Sequence, residues 1–357
     1  MLRPTLHSPL RLGVLGTGAI ARSFVEAVRG EGAATGAEVV AVASRTAEGA
    51  AAFAHAFALP RAHAGYAALL ADPAVDAVYN ALPTGLHAEW SVRTARAGKH
   101  GLCEKPLAST AADVEAMYAA ADAAGVVLLE AFPYAYHPQM DATLALLAGG
   151  AVGAVRAVYA AFGFTLADPT NVRFDPALGG GALLDVGCYA VSFARRVVGE
   201  RPARAHAVAR WGPSGVDLSL AGTLEYPGGA IAQVACSFET APHRHAVVTG
   251  SDGVLETGFP NHTRPASPAG PPARAGEGLR VRRGRTWDAP VEAVAVPAAS
   301  GFVGELAAFV AMTRDPGGPG ARDARRRSFD DAAALDALRA SAREGRVVEV
   351  PPAPAGT

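Results

Sequence analysis

One pattern near the start of this chain constrains its fold more than any other. The apolar run Arg11–Gly16 leads into Gly16-Thr17-Gly18-Ala19-Ile20-Ala21, which is G-x-G-x-x-A, and an amphipathic stretch follows. The first glycine permits a tight turn, and the second lets the backbone approach a pyrophosphate. The small Ala21 lets a helix pack closely on the strand, with the helix's first amides facing the anion. Alone, such a pattern is only a glycine-rich turn. Here the further apolar runs Glu38–Ser44, Val75–Ala81, His100–Glu104 and Val126–Glu130 alternate with helical stretches, as βαβ units do. The expectation is an α/β chain whose residues 10–134 form a Rossmann domain with a doubly wound parallel sheet, cradling a dinucleotide at Gly16, Thr17, Gly18, Ala19 and Ile20.

After Tyr134 the pattern lengthens. Ala154–Phe164 and Arg204–Arg210 read as strands, and Asp217–Tyr226 turns through Pro227-Gly228-Gly229 into Ala230–Phe238 as a hairpin. Residues 135–350 are therefore expected to form a C-terminal α+β domain on a large, open, mostly antiparallel sheet. Phe302, Leu306, Phe309 and Val310 recur at helical spacing, which gives a 302–314 helix expected to pack back towards the Rossmann domain. Ser328 with Asp331 resembles a capping box opening a second helix that Gly345 closes, before a strand at Arg346–Val350. Pro260–Gly278 reads as an exposed loop.

Composition narrows the function. Of 357 residues, 50% are hydrophobic and the formal net charge is −1, so the chain has a core and no basic footprint for nucleic acid or an anionic membrane. Cys103, Cys188 and Cys236 are odd in number and lack metal-ligand spacing, and His243 and His245 have no third ligand nearby; no metal is expected. Trp90, Trp211 and Trp287 read as packing residues. Met1–Pro9 has no apolar signal region, and no run approaches the roughly 18 apolar residues of a span, so the expected location is cytoplasmic.

The second strand ends in Ser44-Arg45, where an NAD site usually carries a carboxylate for the ribose 2′-hydroxyl. A hydroxyl and a guanidinium suit a 2′-phosphate, so NADP is expected over NAD. Leu82, Pro83 and His87 after the next strand, with Glu104 and Lys105, complete the expected cofactor contacts. Of the 32 basic side chains only Lys99 and Lys105 are lysines. Lys105 ends a strand on the side where ligands of such sheets bind. Farther on, Gly179-Gly180-Gly181 precedes Asp185 and Tyr189, which share a face if the segment is helical. A tyrosine with an unperturbed pKa of about 10 can serve as proton donor when a nearby ammonium stabilises its phenolate. Asp185 can hold Lys105 or accept from a substrate hydroxyl.

Together, Gly16–Ala21, Ala97-Gly98-Lys99-His100 running into Glu104-Lys105-Pro106, Glu130-Ala131-Phe132, Gly179–Tyr189 and Ser341–Arg346 resemble the glucose–fructose oxidoreductase/inositol dehydrogenase family, Gfo/Idh/MocA. The resemblance implies Lys105 as the catalytic lysine, Asp185 and Tyr189 on the substrate side with Phe132 and Arg173, and a homodimer or higher oligomer formed through the open sheet. Tyrosine at 189, where many members have histidine, resembles the branch of dihydrodiol dehydrogenases and NADP-dependent xylose dehydrogenases. Pro133, Ala135 and Thr84 depart from that branch's usual residues and bear on substrate identity. The function so implied is NADP(H)-dependent hydride transfer to or from a CH–OH/C=O group of a sugar, polyol or cyclic diol. A non-catalytic cofactor sensor and an NAD-dependent inositol-type dehydrogenase are the alternatives.

Overall fold

The structure, a computed structural model, describes residues 9–258 and 278–353. The chain divides into two compact units, one centred on Met1–Tyr136 with Ser300–Phe329, the other on His137–Ala299 with Asp330–Ala355. The Pro260–Gly278 segment lies, but for its last residue, outside the described residues.

The first unit is built on six strands: β1 (Leu10–Leu15), β2 (Ala37–Ser44), β3 (Arg61–Ala64), β4 (Ala77–Asn80), β5 (His100–Glu104) and β6 (Leu128–Ala131). They pair in the order β3-β2-β1-β4-β5-β6, all parallel. This is the doubly wound order, and it reverses between β1 and β4, so the crevice lies at the carboxyl ends of those strands. The Ala19–Val28 helix buries Ala21, Phe24, Val25 and Val28, a stripe with the period of one helical face. Phe24 stacks on Tyr79 of β4, with ring centroids 3.9 Å apart. Helix Gly301–Arg314 belongs to this unit, and its Phe302, Leu306, Phe309 and Val310 join the core formed with Leu12, Val14 and Phe24. Its Gly301 and Gly304 lie against the Pro133 and Tyr136 carbonyls, where a Cβ would collide. The sequence reading omits β3, so Glu104 ends the fifth strand of the chain and not the fourth.

The second unit carries β7 (Val155–Thr165), β8 (Arg204–Trp211), β9 (Asp217–Glu225), β10 (Ile231–Ser237), β11 (Glu239–Gly250), β12 (Gly253–Thr257), β13 (Leu279–Arg283), β14 (Val291–Val294) and β15 (Val348–Glu349). Their order is β14-β13-β12-β11-β7-β10-β9-β8-β15, antiparallel except where β10 runs parallel to β7. Alternation along β7 and β10 buries Val158, Ala160, Ala232 and Val234 on one face, while Tyr159 and Ile231 stay exposed on the other. The buried face receives the Cys188–Val198 helix, nearly all of whose residues are buried. The whole Pro176–Val198 stretch is long and apolar enough to cross a membrane by length and composition, but 72% of its apolar 18-residue window is buried within the protein, as suits a core helix.

One expectation fails near the C-terminus. A single helix runs Pro319–Glu344, so Ser328 and Asp331 sit in its interior and not at a cap. Asp331 instead pairs with Arg195, both buried, with one arm at 3.2 Å. Gly345 does close the helix, with φ +66° and its amide on the Ser341 carbonyl.

Candidate active site

Each unit carries one group of the residues in question. In the first, Gly16 has φ +97°, a left-handed conformation suited to glycine, and its position abuts the Ala81 carbonyl of the loop after β4. Gly18 caps the Ala19–Val28 helix without a side-chain bond, the helix's first turn holds no acid, and the space beside Gly18 is open. Open space, uncapped amides and a helix N-terminus are what a pyrophosphate requires, so Gly16, Thr17, Gly18, Ala19 and Ile20 fit a dinucleotide. Ser44 is half-buried and Arg45 exposed at the end of β2, where Thr46 caps the next helix through the Gly49 amide at 3.1 Å.

Lys105 follows β5, half-buried, and its bond to Pro106 is cis. The motif's other members turn inwards. Glu104 is 4% exposed; it accepts the Tyr79 hydroxyl at 2.5 Å and the Lys105 amide at 3.2 Å. It braces the strand end from behind. Burial, followed by the charge of Glu104, pushes the Tyr79 phenol well up, so it stays a donor. His87 also turns inwards. Its ring is buried, Nδ1 meets the Pro106 carbonyl at 3.0 Å, and Nε2 meets the Leu82 carbonyl at 2.8 Å. Burial lowers its pKa, and the ring ties the Leu82-Pro83 loop to the turn after Lys105. Asn80 assists, its amide reaching the His87 carbonyl at 3.3 Å and the Ser91 hydroxyl at 3.2 Å. Phe132 is buried against Tyr134, with centroids 5.1 Å apart.

Lys99, the other lysine, has a structural task. Its buried ammonium donates to the carbonyls of Asp72 at 2.8 Å and Val75 at 2.6 Å, tying down the turn before β4. A hollow of about 960 Å³ lies at the opposite end of this sheet, against Pro9, Ala37 and Glu38 at the strand starts, and includes none of the motif residues.

In the second unit, Gly179 and Gly181 have positive φ, and the amides of Gly180 and Gly181 bond the carbonyls of Asp175 and Arg173. The segment after them is helical, but its first turn, Leu183–Gly187, is wound as a π-helix before Cys188–Val198 continues as α. Such single π-turns recur at functional positions. Asp185 receives the Arg173 Nε at 2.6 Å, and its side chain is 16% exposed. Arg173 is thus a partner of Asp185 within its own unit. Tyr189 is buried, its ring edge-on to Phe162 with centroids 5.4 Å apart.

Sequence reasoning missed Asp217. It opens β9, buried, and its Oδ2 accepts the Leu183 amide at 2.6 Å. Its only signal was an acid at the head of an apolar strand. It also missed Glu305, a fully buried acid on the Gly301–Arg314 helix whose carboxyl is pushed well above the usual carboxylate range by burial and by the charge of Glu104.

Residues 10–132 match the oxidoreductase family with NAD-binding Rossmann fold, and residues 141–256 match the GFO/IDH/MocA C-terminal domain. The chain is 42% identical over 250 residues to D-xylose 1-dehydrogenase (NADP(+)) 2 of Haloferax volcanii, covering 69% of this chain and 75% of that one. It is 36% identical to the trans-1,2-dihydrobenzene-1,2-diol dehydrogenase of Mus musculus, covering 69% and 74%. A 3-ketoreductase from Actinomadura kijaniata, solved with NADP and TDP-benzene, superposes with a TM-score of 0.82 at 32% identity, over 93% of this chain and 98% of that one. The chain belongs to the GFO/IDH/MocA family of oxidoreductases, and its first unit is that family's NAD(P)-binding Rossmann domain.

Proposed function

We propose that this oxidoreductase uses NADP(H) to interconvert an alcohol and a carbonyl on a sugar, polyol or cyclic diol. The observation that carries the reading is Lys105, an amine at the carboxyl end of β5 in a chain that otherwise writes arginine at every basic position but Lys99. When bound, a nicotinamide exchanges hydride with the substrate carbon. Tyr189 moves the accompanying proton to or from the substrate oxygen, and the Lys105 ammonium stabilises the phenolate that results. Asp185, oriented by Arg173, accepts from a substrate hydroxyl. Ser44 and Arg45 support NADP, since neither repels a 2′-phosphate. The xylose dehydrogenase and dihydrodiol dehydrogenase relatives support the substrate class. The Actinomadura reductase has been solved with a lysine replaced by alanine or glutamate and a tyrosine by phenylalanine, and those two positions stand as far apart in its chain as Lys105 and Tyr189 do here.

The test is turnover of D-xylose and of a trans-dihydrodiol with NADP⁺ by purified protein. General acid–base roles predict that Lys105→Met and Tyr189→Phe each lower kcat by about 10²–10⁴ while NADPH binding changes little. Full kcat in both variants refutes the mechanism, and NADPH binding without turnover across the panel favours a sensor. The outer face of the second sheet supports a homodimer: Tyr159, Val208 and Ile231 are exposed there, and Tyr159 and Val208 line a hollow of about 450 Å³. A monomer in sedimentation at micromolar concentration refutes that part.

A further inference from the structure

We propose that Asp217 is a positioning residue for the substrate side, holding the glycine turn and the first helical amide after it so that Asp185 and Tyr189 are presented at a set angle. The proposal rests on the reading that Asp185 and Tyr189 face substrate. Its geometry is local to the second unit. From the head of β9, Asp217 Oδ2 accepts the Leu183 amide at 2.6 Å, at the start of the π-turn that carries Asp185. Oδ1 occupies the space in which Gly181 would place a Cβ, so the carboxylate and the glycine fit only together. Gly181 has φ +117°, and its amide bonds the carbonyl of Arg173, the residue whose guanidinium holds Asp185. One carboxylate thus meets both ends of the segment from Gly181 to Leu183, and Arg173 closes the loop back to Asp185.

The electrostatic setting is mixed. Arg339 and Arg343 of the Pro319–Glu344 helix favour the charged form, as does the Leu183 amide, whereas burial opposes it more strongly; Cys236 of β10 lies within the same field. The carboxyl is pushed up to about 6. The clamp is therefore tightest above pH 6, where a charged acceptor binds the amide more strongly than a neutral one.

The experiment compares full-length Asp217→Ala and Asp217→Asn with wild type. Asparagine keeps an oxygen for the Leu183 amide but cannot titrate. Hydrogen exchange of peptides spanning residues 179–187 should quicken at least tenfold in Asp217→Ala and stay within about threefold in Asp217→Asn. With NADP⁺ and D-xylose as the probe, kcat for Asp217→Ala should fall at least tenfold with KM for NADP⁺ unchanged, and asparagine should restore it. The ratio of wild-type to Asp217→Asn activity should fall as pH drops through about 6. Wild-type exchange in Asp217→Ala, equal kcat losses in both variants, or a flat pH ratio overturns the proposal. If alanine prevents folding, Asp217→Ser, whose hydroxyl is too short to reach both partners, supplies the same comparison. Absence of turnover in wild type counts against the proposed function, and the exchange result then decides the clamp.

Discussion

The stability of Asp217→Asn relative to wild type should be greatest near neutrality and should fall as the solution is acidified. Burial raises the folded carboxyl from 3.8 to about 6. A group whose folded pKa is raised stabilises the native state fully below its unfolded pKa, and that contribution is lost as pH rises through the folded value. The window therefore runs from about pH 4 to pH 6. A displacement of about 2 in pKa is worth about 3 kcal/mol, of which a little under half is lost between pH 5 and pH 7. Asparagine has no proton to lose, so its stability relative to wild type should rise by about 1 kcal/mol over that interval, whatever its own hydrogen bonds are worth. In a unit of this size that is a shift of roughly 2–4 °C in the difference between the two melting temperatures. Calorimetry of both proteins at pH 5, 6 and 7 measures it. A difference in Tm that does not change with pH would refute the argument, because the Asp217 carboxyl would then titrate alike in folded and unfolded chains. A charge kept at such a cost fits a residue retained for placement.

Other perturbations follow from the same structure. Arg45→Ala should weaken NADPH binding about tenfold, the lower end of what a charge-assisted bond to phosphate supplies, and leave NADH unchanged in fluorescence titration. Arg195→Ala strands Asp331 in the interior and should cost about 3–5 kcal/mol in urea unfolding, whereas pairing it with Asp331→Leu should recover most of the loss. Lys99→Met removes the donor to two buried carbonyls and should cost about 2–4 kcal/mol, with kcat unaffected in the surviving folded fraction.

Elements whose pattern is written in apolar side chains were legible from sequence. The parallel strands of the first sheet and the β9–β10 hairpin stand within a few residues of their expected ranges. The Arg-Ala-His-Ala of β3 was not, since an edge strand with no large apolar residue leaves no alternation to read. Ser328 and Asp331 have the spacing of a capping box, but a buried arginine claimed the acid and the helix ran through. At the site, Gly16, Gly18 and Lys105 could be placed because turn geometry and strand ends locate them. The hydrogen-bond partners of Glu104, His87 and Asp217 could not, because they depend on which buried group lies opposite, and that is decided by distant segments.

The two lysines have a chemical consequence. Lys99 is sealed in the first unit with its nitrogen engaged by two carbonyls, which leaves Lys105, half-buried after β5, as the other side-chain amine of a protein of 357 residues. An acylating reagent or a fluorescent succinimidyl ester should therefore mark, apart from the α-amino group, one position beside the cofactor cradle. Such a label would report dinucleotide occupancy by protection from modification, without need of a substrate.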